Sequence, residues 1–325
     1  MATQAIAGSV DKVLTNGFPT ALKEVGMGVY NANPTIALIQ KNRSTWQGES
    51  QQGGVVTSTA YTDKAQSYQN DDPVDTSSVE PVTAIQFELG GYQSSVNISG
   101  MKIRKVQTSL QKIMDLQKLE TALCLKGMVE RMAIHFFQAT NDAKGIISLS
   151  TISDATTTIA GLAGSSTWGG TTTAAGAAFS VVGKNDLMTL YNTLSVNDNS
   201  LEESNGTTGF SNEPDTHITR RQEQQLYWAT LEPSMRYEVN GTGDVKLKIA
   251  FMGSPVTVDQ HCASGVWHMF KRNAIKWKVM SGADFTPLPV ATTSTQPDMW
   301  ARGVIWNGQV VFTSRRPFGK YTGIS

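Results

Sequence analysis

The sequence is short of cysteine, of net charge and of long apolar runs, and each shortage excludes something. Of its 325 residues two are cysteine, Cys124 and Cys262. With no Cys-x-x-Cys between them they give no disulfide framework, and a reducing compartment is expected. The 27 basic residues balance 27 acidic ones, and charged residues are only 17% of the chain. A protein that grips nucleic acid shows a basic excess or stripe, and none dominates here. Near-zero net charge also removes long-range repulsion between copies and so permits self-association. No run approaches the ~18 apolar residues of a membrane span. The opening residues, MATQAIAGSVDKVLTNGFPT, lack the basic n-region and continuous apolar core of a signal peptide. The expectation is a soluble protein made in the cytoplasm, with no membrane partner.

Motifs of catalysis and cofactor binding are equally scarce. No Gly-x-Ser-x-Gly occurs. The glycine pairs Gly53-Gly54, Gly90-Gly91 and Gly169-Gly170 match neither a phosphate-binding loop nor a dinucleotide fingerprint. His261-Cys262 with His268 fits no usual zinc spacing and has no fourth ligand nearby. His135, beside Phe136 and Phe137, reads as a packed residue. No catalytic residue, cofactor or metal is expected.

What the sequence does have is a long helical stretch, Val106–Thr140, with no proline and the single glycine Gly127. Its Leu, Met, Lys, Gln and Glu lose little rotamer freedom in a helix. Val106, Leu110, Ile113 and Met114 mark one apolar stripe, and Leu116, Leu119, Leu123, Met128 and Met132 a second that drifts around the axis. At ~1.5 Å per residue such a rod is roughly 50 Å long.

Ahead of it, residues 1–35 read as an arm, with a short helix near Pro19–Val25. Residues 36–100 are polar and β-like, with strands expected at Val55–Tyr61 and Ala84–Tyr92 and an exposed tip over Asp63–Glu80. This stretch holds too few large apolar side chains to close its own core. A two-stranded excursion is marginal alone and must lie on something, most economically another copy of the chain.

Behind it, Lys144–Ser150 reads as a strand, followed by a Gly/Thr/Ala-rich loop around Trp168 and a helix over Ala177–Leu194. Asn197–Pro214 reads as an exposed loop. Then come a strand at Thr216–Thr219, a helix at Arg221–Glu232, and paired strands at Val245–Phe251 and Pro255–Asp259. Strands at Gly265–Lys271 and Ala274–Met280 follow, and a hairpin is predicted around Asn307-Gly308. Lys102, Arg104 and Lys105 enter the long helix as a basic cluster, which suits an acidic neighbour better than a helix N-terminus. The adjacent pairs Arg220-Arg221 and Arg315-Arg316 read as exposed, with inter-subunit carboxylates as natural partners.

Several blocks taken in order carry a resemblance. They are His217-Ile-Thr219, Tyr227-Trp-Ala-Thr-Leu231 with Pro233 and Arg236-Tyr237, and Phe251-Met-Gly-Ser-Pro-Val-Thr-Val-Asp259 with His261-Cys262 and Gly265. Trp306-Asn-Gly-Gln-Val-Val311 and Ser314-Arg-Arg-Pro-Phe-Gly-Lys-Tyr-Thr-Gly323 complete them. This pattern, spanning about residues 144–325, resembles the tailed-bacteriophage major capsid proteins of the HK97-like fold. The resemblance implies an α+β chain with an N-terminal arm (1–35), a long β-hairpin E-loop (36–100) and a P-domain with the spine helix (101–143). An A-domain with a central sheet flanked by helices (144–279) and C-terminal strands returning to the P-domain (280–325) complete it. It implies self-assembly into hexamers and pentamers that form an icosahedral shell, the virion capsid. The shell encloses double-stranded DNA without reading its sequence and expands during maturation. Separate scaffolding, portal and decoration proteins are the implied partners, and the role is structural, not enzymatic. The subunit-contact candidates are Trp46, Lys64, Lys102, Arg104, Lys105, Arg315 and Arg316. In some such shells a lysine in the region of Lys64 forms an isopeptide bond with a neighbour's asparagine, but no matching motif accompanies it here. Two other readings are an encapsulin-like compartment shell and a β-rich hydrolase using Asp259, His261 or His268.

Overall fold

A computed structural model describes residues 14, 18, 19, 22, 33–46, 52–58, 67, 82–106, 110–164, 169–196, 213–231, 249–290, 299–312 and 314–324. The expected exposed tip with Lys64 (apart from Ser67), Trp168 and most of the 197–214 loop lie outside them.

The elements in chain order begin with α1 (Pro34–Ile39), β1 (Arg43–Trp46), β2 (Gln52–Ser58), β3 (Val82–Glu88) and β4 (Gly90–Ser99). Then come α2 (Gly100–Val106), α3 (Leu110–Phe137), α4 (Leu149–Ile152), β5 (Thr171–Ala174), α5 (Phe179–Val196), β6 (Thr216–Thr219) and α6 (Arg221–Thr230). The rest is strand: β7 (Ala250–Phe251), β8 (Ser254–Val258), β9 (Val266–Phe270), β10 (Ile275–Met280), β11 (Thr286–Val290), β12 (Met299–Phe312) and β13 (Phe318–Thr322). The expected α+β class is observed. No helix among the described residues is long and apolar enough to cross a membrane.

Three sheets organise these strands. A six-stranded sheet runs β5-β13-β9-β6-β8-β7. Strand alternation gives it two buried faces. Trp267, Met269 and Tyr321 point into a core closed by Leu187, Leu190 and Leu194 of α5 and Tyr227 of α6. Phe270 and Phe318 point the other way, into the main core. That core also holds Trp277, Val304, Trp306 and Val310 from a five-stranded sheet of β1, β10, β11, β12 and β4, and Leu125, Val129, Met132 and Phe136 from α3. The third sheet is the β2–β3 hairpin alone, in register from Gln52↔Glu88 to Ser58↔Val82.

The structure corrects several sequence expectations. The long helix is the 28-residue α3. Its buried face runs through Ile113, Gln117, Thr121, Leu125 and Met132, and two of its members are polar. Gln117 Nε2 donates to the Leu14 carbonyl at 2.6 Å, and Thr121 Oγ1 to the Gln117 carbonyl at 2.7 Å, so neither is left unsatisfied. Leu119 and Leu123, expected in an apolar stripe with Met128 and Met132, are 57% exposed. Leu123 and Met132 are nine residues apart, which at ~100° per residue puts them on opposite sides of the helix.

The hairpin expected at Asn307-Gly308 is absent, because β12 runs straight through it. Gly308 pairs with Gly90 of β4 on one side and Val279 of β10 on the other. A Cβ there would lie 2.6 Å from the Lys278 carbonyl oxygen and 2.7 Å from the Trp306 ring. The glycine serves close approach, not a turn. Lys144–Ser150, expected as a strand, forms a turn and then the start of α4, whose cap is Ser148 accepting from the Thr151 amide.

Strand pairing also runs across the expected limit at 279/280. The boundary at 279/280 falls inside β10, which pairs with β12. The last strand, β13, pairs with β9 and β5 in the six-stranded sheet. Its alternation explains this, since Gly319 lets Leu190 and Leu194 of α5 lie directly on the strand.

Candidate subunit interface

Two features of the described residues stand out. The first is the β2–β3 ladder, seven residue pairs with no third strand. The second is the outer face of the long helix with its entry segment, where Met101 (62% exposed), Leu119, Leu123 and Ile134 (42%) carry apolar surface to solvent. Isolated exposed apolar residues are ordinary, but several along one rod mark a surface for association.

The hairpin's root is rigid. Gln309, beside Gly308 on β12, donates from Nε2 to the Glu88 carbonyl at 2.7 Å, while its Oε1 accepts from the Ile147 amide at 2.8 Å. Gly91 donates to the Lys144 carbonyl at 2.9 Å. A Cβ on Gly90 would meet the Gly145 carbonyl carbon and oxygen at 2.7 Å, so two backbones touch where the hairpin leaves the body. Beside this crossing Tyr92 Oη accepts from the Ile146 amide at 3.1 Å and lies 3.0 Å from His135 Nδ1. Burial pushes the Tyr92 hydroxyl up to about 12 and His135 below its ordinary value, so both stay neutral near pH 7. A cleft of about 420 Å³ opens here, lined among others by Glu88, Asp142, Thr158 and Gln309.

The contact candidates fall into distinct settings. Lys102, Arg104 and Lys105 lie exposed on α2. Lys102 Nζ reaches Glu120 Oε1 of α3 at 2.8 Å, which ties the basic segment to the long helix. Trp46 is buried at the end of β1 with the Lys278 ammonium 5.3 Å from its ring centroid.

Arg315 is fully buried, contrary to the exposure expected of adjacent arginines. Its guanidinium donates to the carbonyls of Ile152, Thr157 and Thr151 at 3.0, 2.7 and 2.8 Å and to that of Asp154. The fork thus gathers carbonyls from the end of α4 and from the turn that follows it, a task that five fixed donors suit. Burial holds its pKa down to about 10, still charged at neutral pH. Arg316 is half-buried, and its amide donates to Ser314 Oγ at 3.3 Å. The sequence offered no sign of this division, because the receiving carbonyls lie some 160 residues away. The exposed leucines could have been found by drawing the helix at its true angle and letting Gln117 and Thr121 join the buried face.

The histidine and cysteine positions do not converge. His268 is enclosed in the main core, 6.0 Å from the Phe137 ring, with neither ring nitrogen hydrogen-bonded. Cys262 Sγ faces the Val266 carbonyl at 3.7 Å, and desolvation raises its thiol pKa far above the ordinary value. Among the described residues no group of three His, Cys, Asp or Glu could hold a metal ion.

Compared as a sequence, the chain matches no protein-family model and no curated protein. Compared as a structure, it is similar to solved capsids. The capsid of cyanophage A-1(L) aligns over 90% of this chain and 92% of its own, at 11% identity and a TM-score of 0.60. The capsid of an empty GTA particle aligns over 88% and 96%, at 12% identity and 0.53. That of Myoviridae phage XM1 aligns over 87% and 89%, at 8% identity and 0.54. These likenesses establish the fold: the chain has the α+β, HK97-like capsid fold.

Proposed function

We propose that this chain is the major capsid protein of a tailed bacteriophage, a structural and non-catalytic subunit. Copies join as hexamers and pentamers and close an icosahedral shell around double-stranded DNA, which is contained and not read. The observation that carries this reading is the pairing of near end-to-end likeness to capsid chains with a ladder of only two strands and exposed apolar residues along α3. The hairpin of one copy lies over its neighbour, and the outer face of α3 receives a neighbour in turn. Obligate contacts of this kind bury upward of ~2,000 Å².

In this proposal residues 1–35 form the arm and the hairpin proper lies within 36–100. The peripheral unit joins 101–143 to the five-stranded sheet. The axial unit takes the rest of 144–279 and is completed by β13. Lys102, Arg104 and Lys105 meet acidic groups of a neighbour, with Lys64 and Arg316 as rim contacts. Trp46 and Arg315 act from inside the subunit, fixing the strands that carry the interface. The chain is made in the cytoplasm of a bacterial host and ends in the virion, with scaffolding, portal and decoration proteins as separate partners.

The test is assembly. Purified protein examined by sedimentation and negative-stain microscopy should form closed shells or capsomers as its concentration rises. A single compact species at every concentration would overturn the reading.

A further inference from the structure

The chain has four histidines, and their surroundings separate one from the rest. His217 and His268 are buried with no hydrogen bond to either ring nitrogen. His135 has the neutral Tyr92 hydroxyl at one nitrogen and Asp142 at 3.7 Å from the other. His261 alone has a carboxylate oxygen close to both. Its Nε2 lies 2.7 Å from Glu130 Oε1 on α3, and its Nδ1 lies 3.1 Å from Asp259 Oδ1 in the loop after β8.

The two carboxylates differ. Asp259 has no exposed side-chain surface, whereas Glu130 is 46% exposed. Asp259 is further fixed by the His261 amide, which donates to Oδ1 at 2.9 Å, and by Thr35 Oγ1, which donates to Oδ2 at 2.5 Å. Thr35 belongs to α1, whose N-cap Asn33 accepts from the amides of Thr35 and Ile36 at 3.0 Å. The Asn33 side-chain nitrogen also stands 3.4 Å from His261 Nδ1. One ring therefore sits where the N-terminal segment, the long helix and the six-stranded sheet meet. Further out, Glu223 and Arg220 act on the adjacent Cys262.

A neutral imidazole has one N–H and one lone pair, and only the imidazolium donates from both nitrogens. Facing two carboxylates, the neutral ring must set its lone pair against an anion. We propose that His261 is a proton-dependent clasp: doubly protonated it holds Glu130 to Asp259, and singly protonated it keeps the buried Asp259 and lets Glu130 go to water. Asp259 keeps the proton because no solvent can replace the donor it would lose, while the half-exposed Glu130 is readily hydrated. Gain of the second proton closes the clasp and its loss opens it, so the contact is held on the acid side and released on the alkaline side. What opens is the contact between the long helix and the loop after β8. The N-terminal segment stays attached through Thr35. The inference concerns the folded chain alone and holds whether or not copies assemble.

A double-mutant cycle tests it, with His261→Gln, Glu130→Gln and the double variant unfolded in urea at pH 5.5 and at pH 8.5. The cycle isolates the pair, so titration of the other three histidines cancels. At pH 5.5 the coupling should shift the unfolding equilibrium about tenfold, as expected of a charge-assisted hydrogen bond. At pH 8.5 it should fall below about twofold. Nitrogen-15 NMR of the wild-type ring needs no variant to fold, and should show two protonated nitrogens at pH 5.5 and one at pH 8.5. Equal coupling at both pH values, or a singly protonated His261 ring at pH 5.5, would overturn the clasp.

Discussion

The six-stranded sheet and the β2–β3 hairpin differ in how far each is extended by pairing. The sheet is covered on both faces, by α5 and α6 on one side and the main core on the other. The hairpin has one ladder and no third strand among the described residues. Under the proposed assembly, stability belongs to the sheet and subunit contact to the hairpin and the outer face of α3, and substitutions should separate the two.

The largest expected effect is on the sheet side. Trp267 is fully buried, edge-on to Tyr227 at 5.3 Å between ring centroids. Trp267→Ala should destabilise the subunit by roughly 3–5 kcal/mol, read by urea unfolding, with assembly lost only as a result. A loss under about 1 kcal/mol would mean that the sheet is not the stable half.

A second effect follows from pH. Burial holds His217 down to about 4 and His268 to about 3, from an ordinary value of 6.5. Both stay neutral in the folded chain while the unfolded chain takes up protons below about pH 6.5. The unfolded state then binds more protons, so stability falls as pH drops from about 6.5 toward 4. The unfolding free energy, read by urea titration at each pH, should decline across that window. Replacing His217 by Phe should remove part of the slope, and an unchanged slope would show that this ring does not carry it.

The smallest effect on stability sharpens the contrast most. Leu119→Asp with Leu123→Asp places two charges on the exposed side of α3, where stability should change by less than about 0.5 kcal/mol per site. Shell formation followed by light scattering should nevertheless be abolished. Assembly at the wild-type rate would mean that this face is not a contact.

How far the sequence could be read depended on how local each cause was. The helix expected over Ala177–Leu194 was legible from its spacing of Phe179, Val182, Leu187, Leu190 and Leu194, of which all but the half-buried Val182 reach the core. β6 was legible to the residue. The order of blocks near the C-terminus carried the fold. Distant partners defeated the rest. Asn307-Gly308 has the chemistry of a turn, yet β4 and β10 flank it and hold it extended. Arg315 sits beside Arg316 in the chain but among the carbonyls of residues 151–157 in space. For the contact candidates the sequence could mark charge, as at Lys102 and Lys105, but not the apolar surface of Leu119 and Leu123, whose side of the helix depends on which polar residues are pulled inward.

The contact between the backbones of Gly90 and Gly145 makes an elbow. Where main chain rests on main chain there is no side chain to rotate out of the way, so the angle at which the hairpin departs is a property of the whole joint. The seven-residue strands beyond it extend about 23 Å, so a tilt of roughly 5° at the elbow carries their far end about 2 Å. In a closed surface tiled by rings of five and of six, each copy must meet its neighbour at one of several slightly different inclinations, and a stiff elbow would hand that variation to the strands themselves, which bend and twist more easily than they pivot.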